Sequence, residues 1–508
     1  MRQCRGSKLC NAICLAFMAA LLMSSMYATA DKCGFITQRV ECGDLACDKE
    51  AKICIACRAD TDCYPSGMRC DMSSGKCKMR SLRSLFGVRT ALAMLCALIV
   101  CSIAVLAGVG GGGILVPIFC GLMNIPMQSA VGMSHSTICG QSTLNMCLAI
   151  RQKHPDPSWD RPLINYQYLS LLLPLGLIGT LIGGILSKLC PDLLRLILLL
   201  VLLSFVLYRT CVSLKRQYRK DARQAQVAAA GDDPSATSRQ ESCDKKDSSS
   251  KCEPGHTVGS AERELCENPA TAQTPEKATL FIERPPQPQY PKWEISMNIA
   301  CFLVLLLFNI FRKLAVCGSF LYWLCVAVPV VFLSIVFFCN REKVRKVAES
   351  NPMQMTFTWT RRSSVGYPVV AVVAGASAAM LGIGGGLVLG FVLNEVGMIP
   401  HEASVTSGMV TFFIAFSSAL QLLATGSLVI DFGAVFFFVG ICSSILGQFV
   451  FMKYIKKYGL NFLIIGSLVF VIGGSLAALG GYGIYNIITS IQAGGSVMPL
   501  GHLCSRAQ

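Results

Sequence analysis

Two glycine-rich runs carry the chemistry that this sequence indicates most directly. Glycine allows positive φ and lets a ligand approach backbone N–H groups closely. A helix that begins at such a run directs free N–H groups and the positive end of its dipole at the ligand, which suits an anion without Arg or Lys. Helix packing is the alternative for a single run, because small residues also let helices approach. The residues are Gly110, Gly111, Gly112 and Gly113 in the first run and Gly384, Gly385 and Gly386 in the second.

The two runs belong to one duplicated pattern. Gly382 follows Gly108 by the same number of residues as Pro400 follows Pro126. Each proline is followed by a helix start built from small and polar residues. Duplication with constant spacing is strong evidence for an internal repeat. It favours a broken-helix ligand site over packing, since discontinuous helices form the sites of many transporters.

Polar residues follow one face of the helix after each proline. Spacings of three and four residues place side chains on the same helical face. Polar groups in a membrane helix face the bundle interior. They either complete the shell of a ligand or hydrogen-bond between helices, and the sequence leaves both open. The residues are Ser134, Thr137, Gln141 and Asn145 in the first copy and Ser404, Ser407, Thr411 and Ser418 in the second.

Ionisable residues near these positions are few, namely His135, Glu395, His401 and Glu402. Glu395 and Glu402 flank the turn at Pro400, so we expect them to be solvated at the membrane interface rather than to couple protons. His135 lies one position away from the polar face of the first of these helices, and we expect it to hydrogen-bond a neighbouring residue. The sequence has no nucleophile–base pair, Walker loop or HExxH motif. We therefore expect no catalytic residue, no cofactor and no metal.

The elements that position these residues are membrane helices. The chain has 508 residues, of which 53% are hydrophobic and only 15% charged, whereas about 25% is usual in a soluble domain. The net charge of +16 resides in loops beside apolar runs, where it sets orientation and is no nucleic-acid footprint. The apolar segments are 90–123, 127–150, 164–187, 191–210, 295–311, 314–339, 367–395, 402–424, 430–452 and 459–480.

Loop charge predicts the path of the chain. Cytoplasmic loops are rich in Lys and Arg. The chain obeys this rule if segments 90–123 and 367–395 each enter the membrane and return to the same side. The cytoplasmic loops are then 151–163, 211–220, 341–346 and 453–457. Repeat 1 then begins outside and repeat 2 inside. We predict an all-α membrane protein of eight full passes and two re-entrant segments, in two inverted repeats. Five residues are exceptions to the charge rule, namely Arg80, Arg83 and Arg89 on the outer flank and Arg312 and Lys313 between two passes.

The N-terminal region reads as a secreted module. Residues 1–30 have the basic start, apolar run and small-residue end of a signal peptide, with an uncleaved anchor as the alternative. Residues 31–84 then form a lumenal or extracellular module, whose dense, even cysteine count is typical of disulfides. A zinc site is the weaker alternative, because there is one CxxC and no His. The cysteines, with pairing open, are Cys33, Cys42, Cys47, Cys54, Cys57, Cys63, Cys70 and Cys77.

The remaining boundaries follow from composition. The segment 211–293 is polar and lacks apolar periodicity, so we predict a disordered cytosolic loop. The predicted parts after the module are membrane repeat 1 at 85–210, this loop, a linking transmembrane pair at 294–340, a basic cytosolic loop at 341–366, membrane repeat 2 at 367–490 and a tail at 491–508.

At the glycine runs the sequence resembles the sulfite exporter TauE/SafE family of membrane proteins. The resemblance rests on Gly110–Gly113 with Val116-Pro117, on Ala130–Ser134, and on the second copy at Gly382–Gly386 with Ala403–Ser407. It covers the two membrane repeats and neither the module nor the central loop, which resemble eukaryotic members. The family is associated with export of sulfite, sulfonates and related anions. The resemblance therefore implies that the glycine runs and the following Ser and Thr residues form a substrate pathway.

Together these features predict a multi-pass transporter of a small anion, such as sulfite or a sulfonate, in the plasma membrane or the secretory pathway. Its expected partners are the anion and the lipid bilayer, with no nucleic acid. A receptor that uses the Cys-rich module is the first alternative, but a receptor has no need of glycine breaks inside the membrane. A membrane enzyme is the second, disfavoured by the missing catalytic groups.

Overall fold

Helices make up most of the described chain. The computed structural model describes residues 33, 38, 42, 44–48, 50–106, 110–154, 161–230, 288–316, 318–350, 355–357, 359–398, 400–451 and 462–492. The predicted signal peptide lies outside these residues, as do Gly108 and most of the central loop and tail. The chain divides into one unit of 1–215 with 284–508 and a second of 216–283. Of the second, only helical residues 216–230 are described.

The helices lie where the apolar segments predict them, except that three continue past the predicted ends and one of these reaches Ala230, inside the segment predicted to be a disordered loop. Numbered along the chain, they are α1 Val88–Leu106, α2 Gly112–Met123, α3 Met127–Ala149, α4 Tyr166–Leu189, α5 Asp192–Ala230, α6 Lys292–Leu314, α7 Phe320–Ser350, α8 Tyr367–Leu381, α9 Gly386–Val396, α10 Pro400–Ala424, α11 Ile430–Ile445 and α12 Phe462–Gln492. A helical turn at Leu82–Leu85 precedes α1, and π-helical turns at Arg362–Gly366 and Leu446–Phe451 adjoin α8 and α11.

Eight helical stretches among the described residues are long and apolar enough to cross a membrane. Helix α3 has 23 residues but is too polar to be counted with them, and most of its polar side chains are buried inside the bundle. The predicted all-α membrane fold is confirmed, while the inverted orientation of its repeats stays a prediction. The stretches are Val88–Val105, Tyr166–Leu189, Leu193–Val212, Lys292–Leu314, Phe320–Ser350, Arg362–Leu381, His401–Ala424 and Ile430–Phe451.

Each glycine-broken segment returns to the end of the bundle from which it started. The carbonyl of Asn124, after α2, accepts a hydrogen bond from the N–H of Gly67, whose own carbonyl accepts from Arg80, shortly before α1. In the second copy, Thr356 before α8 donates to Glu402 at the start of α10, at 3.0 Å. We call the end at Asn124 the module end and the end at Glu402 the far end.

Helices α4 and α10 run in the same direction between these ends. Near their N-termini the N–H of Asn165 donates to Thr406 Oγ1 at 3.1 Å. Near their C-termini a Cβ added to Gly184 would lie 2.6 Å from Gln421 Oε1. The first residues of α3 join them at the module end, where the Ser129 hydroxyl donates to the carbonyl of Ser427 at 2.7 Å. The two repeats therefore pack against each other along α4 and α10.

The N-terminal module is closed by four disulfides, as predicted. Two hairpins, β1 Ala46–Cys47 with β2 Cys54–Ile55 and β3 Met68–Asp71 with β4 Lys76–Met79, are antiparallel. Hydrogen bonds from Lys78 and from the serines at 73 and 74 hold the pKa of the Asp71 carboxyl well below its usual range. Because all eight cysteines are bonded, no thiolate remains for zinc. The pairs are Cys33–Cys47, Cys42–Cys54, Cys57–Cys70 and Cys63–Cys77.

Candidate functional site

The two glycine breaks meet inside the bundle. A Cβ added to Gly112 would lie 2.2 Å from the carbonyl oxygen of Gly382 and 3.0 Å from the carbonyl carbon of Ile383. Atoms that close cannot coexist, so the backbones of the two segments touch at this point. Residues separated by more than half of the chain thus form one junction, which the duplicated pattern alone did not reveal.

The side chain of Ile138 fills the space in front of both breaks. A Cβ added to Gly110, Gly112 or Gly384 would approach Ile138 to 2.8, 2.8 and 2.9 Å respectively. Ile138 belongs to α3 and is 1% exposed. An anion approaching the N–H groups of the breaks has to displace this side chain.

Positive φ angles at the breaks explain why glycine stands there. The angles are 66° at Gly111, 76° at Gly382, 80° at Gly384 and 72° at Gly385, in a region that residues with a Cβ adopt at a cost. Helices α2 and α9 begin at the residue that follows each turn. Two half-helices therefore start next to the junction, with first-turn N–H groups that lack a partner within their own helix.

Helix α3 is tied to the second break by side chains. The Ser134 hydroxyl donates to the carbonyl of Gly382 at 2.8 Å. The Nε2 of His135 donates to the carbonyl of Ala378 at 3.0 Å, in agreement with the expectation that His135 bonds a neighbour. Ser134 and His135 therefore bond the last turn of α8 across the interface between the repeats.

Five of the other polar residues on these two helical faces fall into two groups. Hydroxyls of Thr137, Ser407 and Thr411 donate to carbonyls of their own helix, at 2.9, 2.9 and 2.8 Å. Gln141 Oε1 and Ser418 Oγ are buried without a hydrogen-bond partner, while Ser404 is partly exposed. The first group must turn before it can donate to a ligand, whereas Ser418 is already free to do so.

Glu402 is buried in an ion pair, so the expectation that it is solvated is wrong. Its side chain is 0% exposed, and its Oε1 accepts from Arg161, from Asn165 at 2.9 Å and from Thr356 at 3.0 Å. Buried charges require such partners. The partners come from other parts of the chain, so the local sequence could not reveal them. The side chain of Glu395 lies outside the described part of the chain.

A cleft opens between α4, α6 and α10 at the module end. Its floor includes Ala379 of α8, one turn before Gly382. Two cations, Lys188 and Arg312, line it together with uncharged polar side chains. Sequence reasoning did not assign this cleft, although Arg312 was an exception to the charge rule. The polar residues are Gln128, Ser187, Ser418, Gln421, Thr425 and Ser427.

Comparison with known proteins agrees with this architecture. The model of the family Sulfite exporter TauE/SafE matches residues 93–239. Sulfite exporter TauE/SafE family protein 3 of Arabidopsis thaliana is 28% identical, over 76% of this chain and 76% of its own length. Protein 1 of the same series is 22% identical, over 80% of this chain and 86% of its own length. No solved structure matches.

Proposed function

We propose that the chain belongs to the sulfite exporter TauE/SafE family and carries a small anion across the membrane. Sulfite and sulfonates are the substrates to test first, because the similar proteins are named for sulfite export. The N-terminal module faces the lumen or the exterior in this proposal. Nothing in the comparisons supports the receptor alternative, and no catalytic set is found among the described residues.

The observation that carries the proposal is the junction of the two glycine breaks. In many secondary transporters the substrate binds at the interface of two repeats, where discontinuous helices direct their positive ends at an anion. Here the half-helices α2 and α9 begin beside that interface. Irregular backbone inside a membrane is tolerated where protein buries it or where it lines a cavity.

The mechanism follows from what now occupies the junction. Ile138 covers the breaks, so a pathway through the junction would be closed in this conformation. Movement of α3 away from the junction would uncover the backbone of Gly110, Gly112 and Gly384, beside the N-termini of α2 and α9. The hydroxyl of Ser134, released from Gly382, would then be a donor beside the same space. The anion binds to neutral donors in this step, which lets it leave again without breaking an ion pair.

Uptake into proteoliposomes tests the proposed function. Purified protein in liposomes is given labelled sulfite, sulfate, methanesulfonate or chloride, with empty liposomes as the reference. We expect saturable entry of at least one sulfur anion, faster than in empty liposomes. Entry of none of them above that background contradicts the proposal.

Substitution of Gly112 tests the role of the junction. A methyl group at 112 collides with the carbonyl of Gly382, so we expect Gly112→Ala to lower uptake at least tenfold, since steric misfit of this kind costs about 1–3 kcal/mol or more. Gly121→Ala is the matched control in the same helix, because nothing lies within 4 Å of its added Cβ. Equal uptake by the two variants, at equal yield of folded protein, would show that the junction is not part of the pathway.

A further inference from the structure

The cleft at the module end holds two cations and is lined by no acidic residue in the described part of the chain. Lys188 lies in the last turn of α4 and Arg312 in the last turn of α6. Arg312 is close enough to Lys188 to repel it electrostatically. Neither cation belongs to a described ion pair. Like charges held together in a partly buried cleft are unfavourable unless an anion joins them.

Two residues that line the cleft each have a buried hydrogen-bond donor without a partner. The Nη1 of Arg312 is buried and has no partner. Ser418 is 1% exposed, and its hydroxyl also has no partner although it lines the cleft. Buried polar groups are nearly always hydrogen-bonded in folded proteins, so such exceptions call for an explanation. A bound oxyanion explains both, because its oxygens accept from guanidinium and hydroxyl alike.

The place of the cleft connects it with the glycine junction. Its walls come from both repeats, through Ser187 of α4 and Gln421 of α10. Its floor at Ala379 is next to Ala378, whose carbonyl is bonded by His135, and one turn from Gly382. A solute bound in the cleft is therefore separated from the junction by about one helical turn.

We propose that this cleft binds a divalent oxyanion on its way to or from the glycine junction, with Lys188 and Arg312 as the charge partners and Ser418 as a neutral donor. The inference rests on the proposed function and specifies its substrate class. Two cations neutralise two negative charges, whereas a monovalent anion leaves one cation uncompensated. The amides and hydroxyls of the wall supply donors without adding charge. The phosphate of a lipid headgroup has the same chemistry and is the competing source of such an anion.

Binding to purified protein tests the inference independently of transport. Sulfate and methanesulfonate are a suitable pair of probes, because they are similar in size and carry two charges and one. Protein in detergent is titrated with each salt at constant ionic strength, and binding is followed by thermal stabilisation. We expect sulfate to bind at least tenfold more tightly. Arg312→Gln or Lys188→Gln should each weaken sulfate binding about tenfold or more, the usual effect of losing a hydrogen bond to a charged group.

Lys313→Gln is the matched control, since Lys313 is exposed beside Arg312 on the same helix and does not line the cleft. It should leave sulfate binding unchanged. Arg312→Lys and Lys188→Arg keep the charge and should retain the preference for sulfate, which covers the case in which a neutral variant does not fold. Equal sulfate affinity in wild type, Arg312→Gln and Lys188→Gln would overturn the inference.

Two further measurements distinguish failure of this inference from failure of the proposed function. Sulfate binding that depends on Arg312, in a protein that moves no anion into liposomes, supports the cleft and contradicts the proposed function. Uptake that is unchanged by both neutral substitutions, with no preference for sulfate, supports transport and overturns the cleft. In nanodiscs of phosphatidylcholine alone, sulfate should still bind. Stabilisation by added phosphatidic acid with none by sulfate would identify a lipid site and overturn the proposal of a soluble anion.

Discussion

An arginine lies near each end of the parallel helix pair α4 and α10, and the surroundings of the two differ. Arg161 at the far end is 5% exposed in its side chain and is paired with Glu402, with Asn165 and Thr356 bonded to the same carboxylate. Arg312 at the module end lines the cleft together with Lys188. The charge of Arg161 is paired with a carboxylate at the far end, whereas neither Arg312 nor Lys188 belongs to a described ion pair at the module end. The difference indicates that the far end is closed by protein contacts, while the module end is prepared for a solute.

The largest effect should come from breaking the far-end pair. Glu402→Ala leaves Arg161 as a buried, uncompensated charge, which typically costs about 3–5 kcal/mol. We expect a corresponding loss in the free energy of unfolding, measured by denaturation in detergent. Glu342→Ala is the control, because Glu342 pairs with Arg345 at the surface, with side chains 45% and 47% exposed. Such a pair contributes at most about 1 kcal/mol.

The double variant Arg161→Met with Glu402→Leu sharpens this prediction. Replacing a whole buried ion pair by apolar side chains is often neutral or stabilising. The double variant should therefore recover most of the stability that Glu402→Ala loses. A double variant as unstable as the single one would mean that the contacts to Asn165 and Thr356, rather than the charge balance, hold the far end together.

Arg312→Gln should have a much smaller effect on stability. It removes a cation–π contact with Tyr322, at 5.9 Å from the ring centroid, and it also relieves repulsion from Lys188. These contributions are each about 1 kcal/mol or less and opposite in sign. We expect unfolding to change by at most about 1 kcal/mol in the absence of anion. A loss as large as that of Glu402→Ala would erase the contrast between the ends and assign Arg312 a structural role.

The smallest effect concerns the module. Asp44 is close enough to attract Lys188 electrostatically, so it competes with an anion in the cleft. Asp44→Asn should strengthen sulfate binding about two- to fivefold, the range expected for one screened charge. Asp71→Asn serves as the control, because Asp71 is held by Lys78 at 2.5 Å within the module. Weaker sulfate binding in Asp44→Asn would show that the module assists the anion instead of competing with it.

The helices could be predicted from sequence because their signals are local. Apolar runs near bilayer length, interrupted at glycine and proline, predict the positions of α1 to α12 to within a few residues. The exceptions are α5, α7 and α12, which extend further than predicted. The break in 90–123 was expected at glycine and does separate α1 from α2. Eight clustered cysteines predicted disulfides, but their pairing depends on how two short hairpins fold and was open until the structure.

The contacts that define the ends could not be predicted in this way. Glu402 was expected to be an interfacial acid because it flanks the turn at Pro400, and its partner Arg161 lies 241 residues away. Ile138 was not assigned any role from the sequence, because its place between the glycine breaks depends on the packing of three segments. For Arg312 a signal existed. Arg312 is an exception to the charge rule at the end of a helix, and in the structure it lines the cleft.

The parallel course of α4 and α10 has a consequence for how the cleft can open. The helices have 24 and 25 residues, so each is about 36 Å long. They are clamped together near their N-termini by the carboxylate of Glu402. If one helix tilts against the other by about 5° around that clamp, its C-terminus moves by roughly 3 Å, since displacement grows with distance along a rigid rod. A rotation small enough to keep the contacts of Glu402 would therefore change the width of the cleft at the module end. The change is comparable to the size of one water molecule.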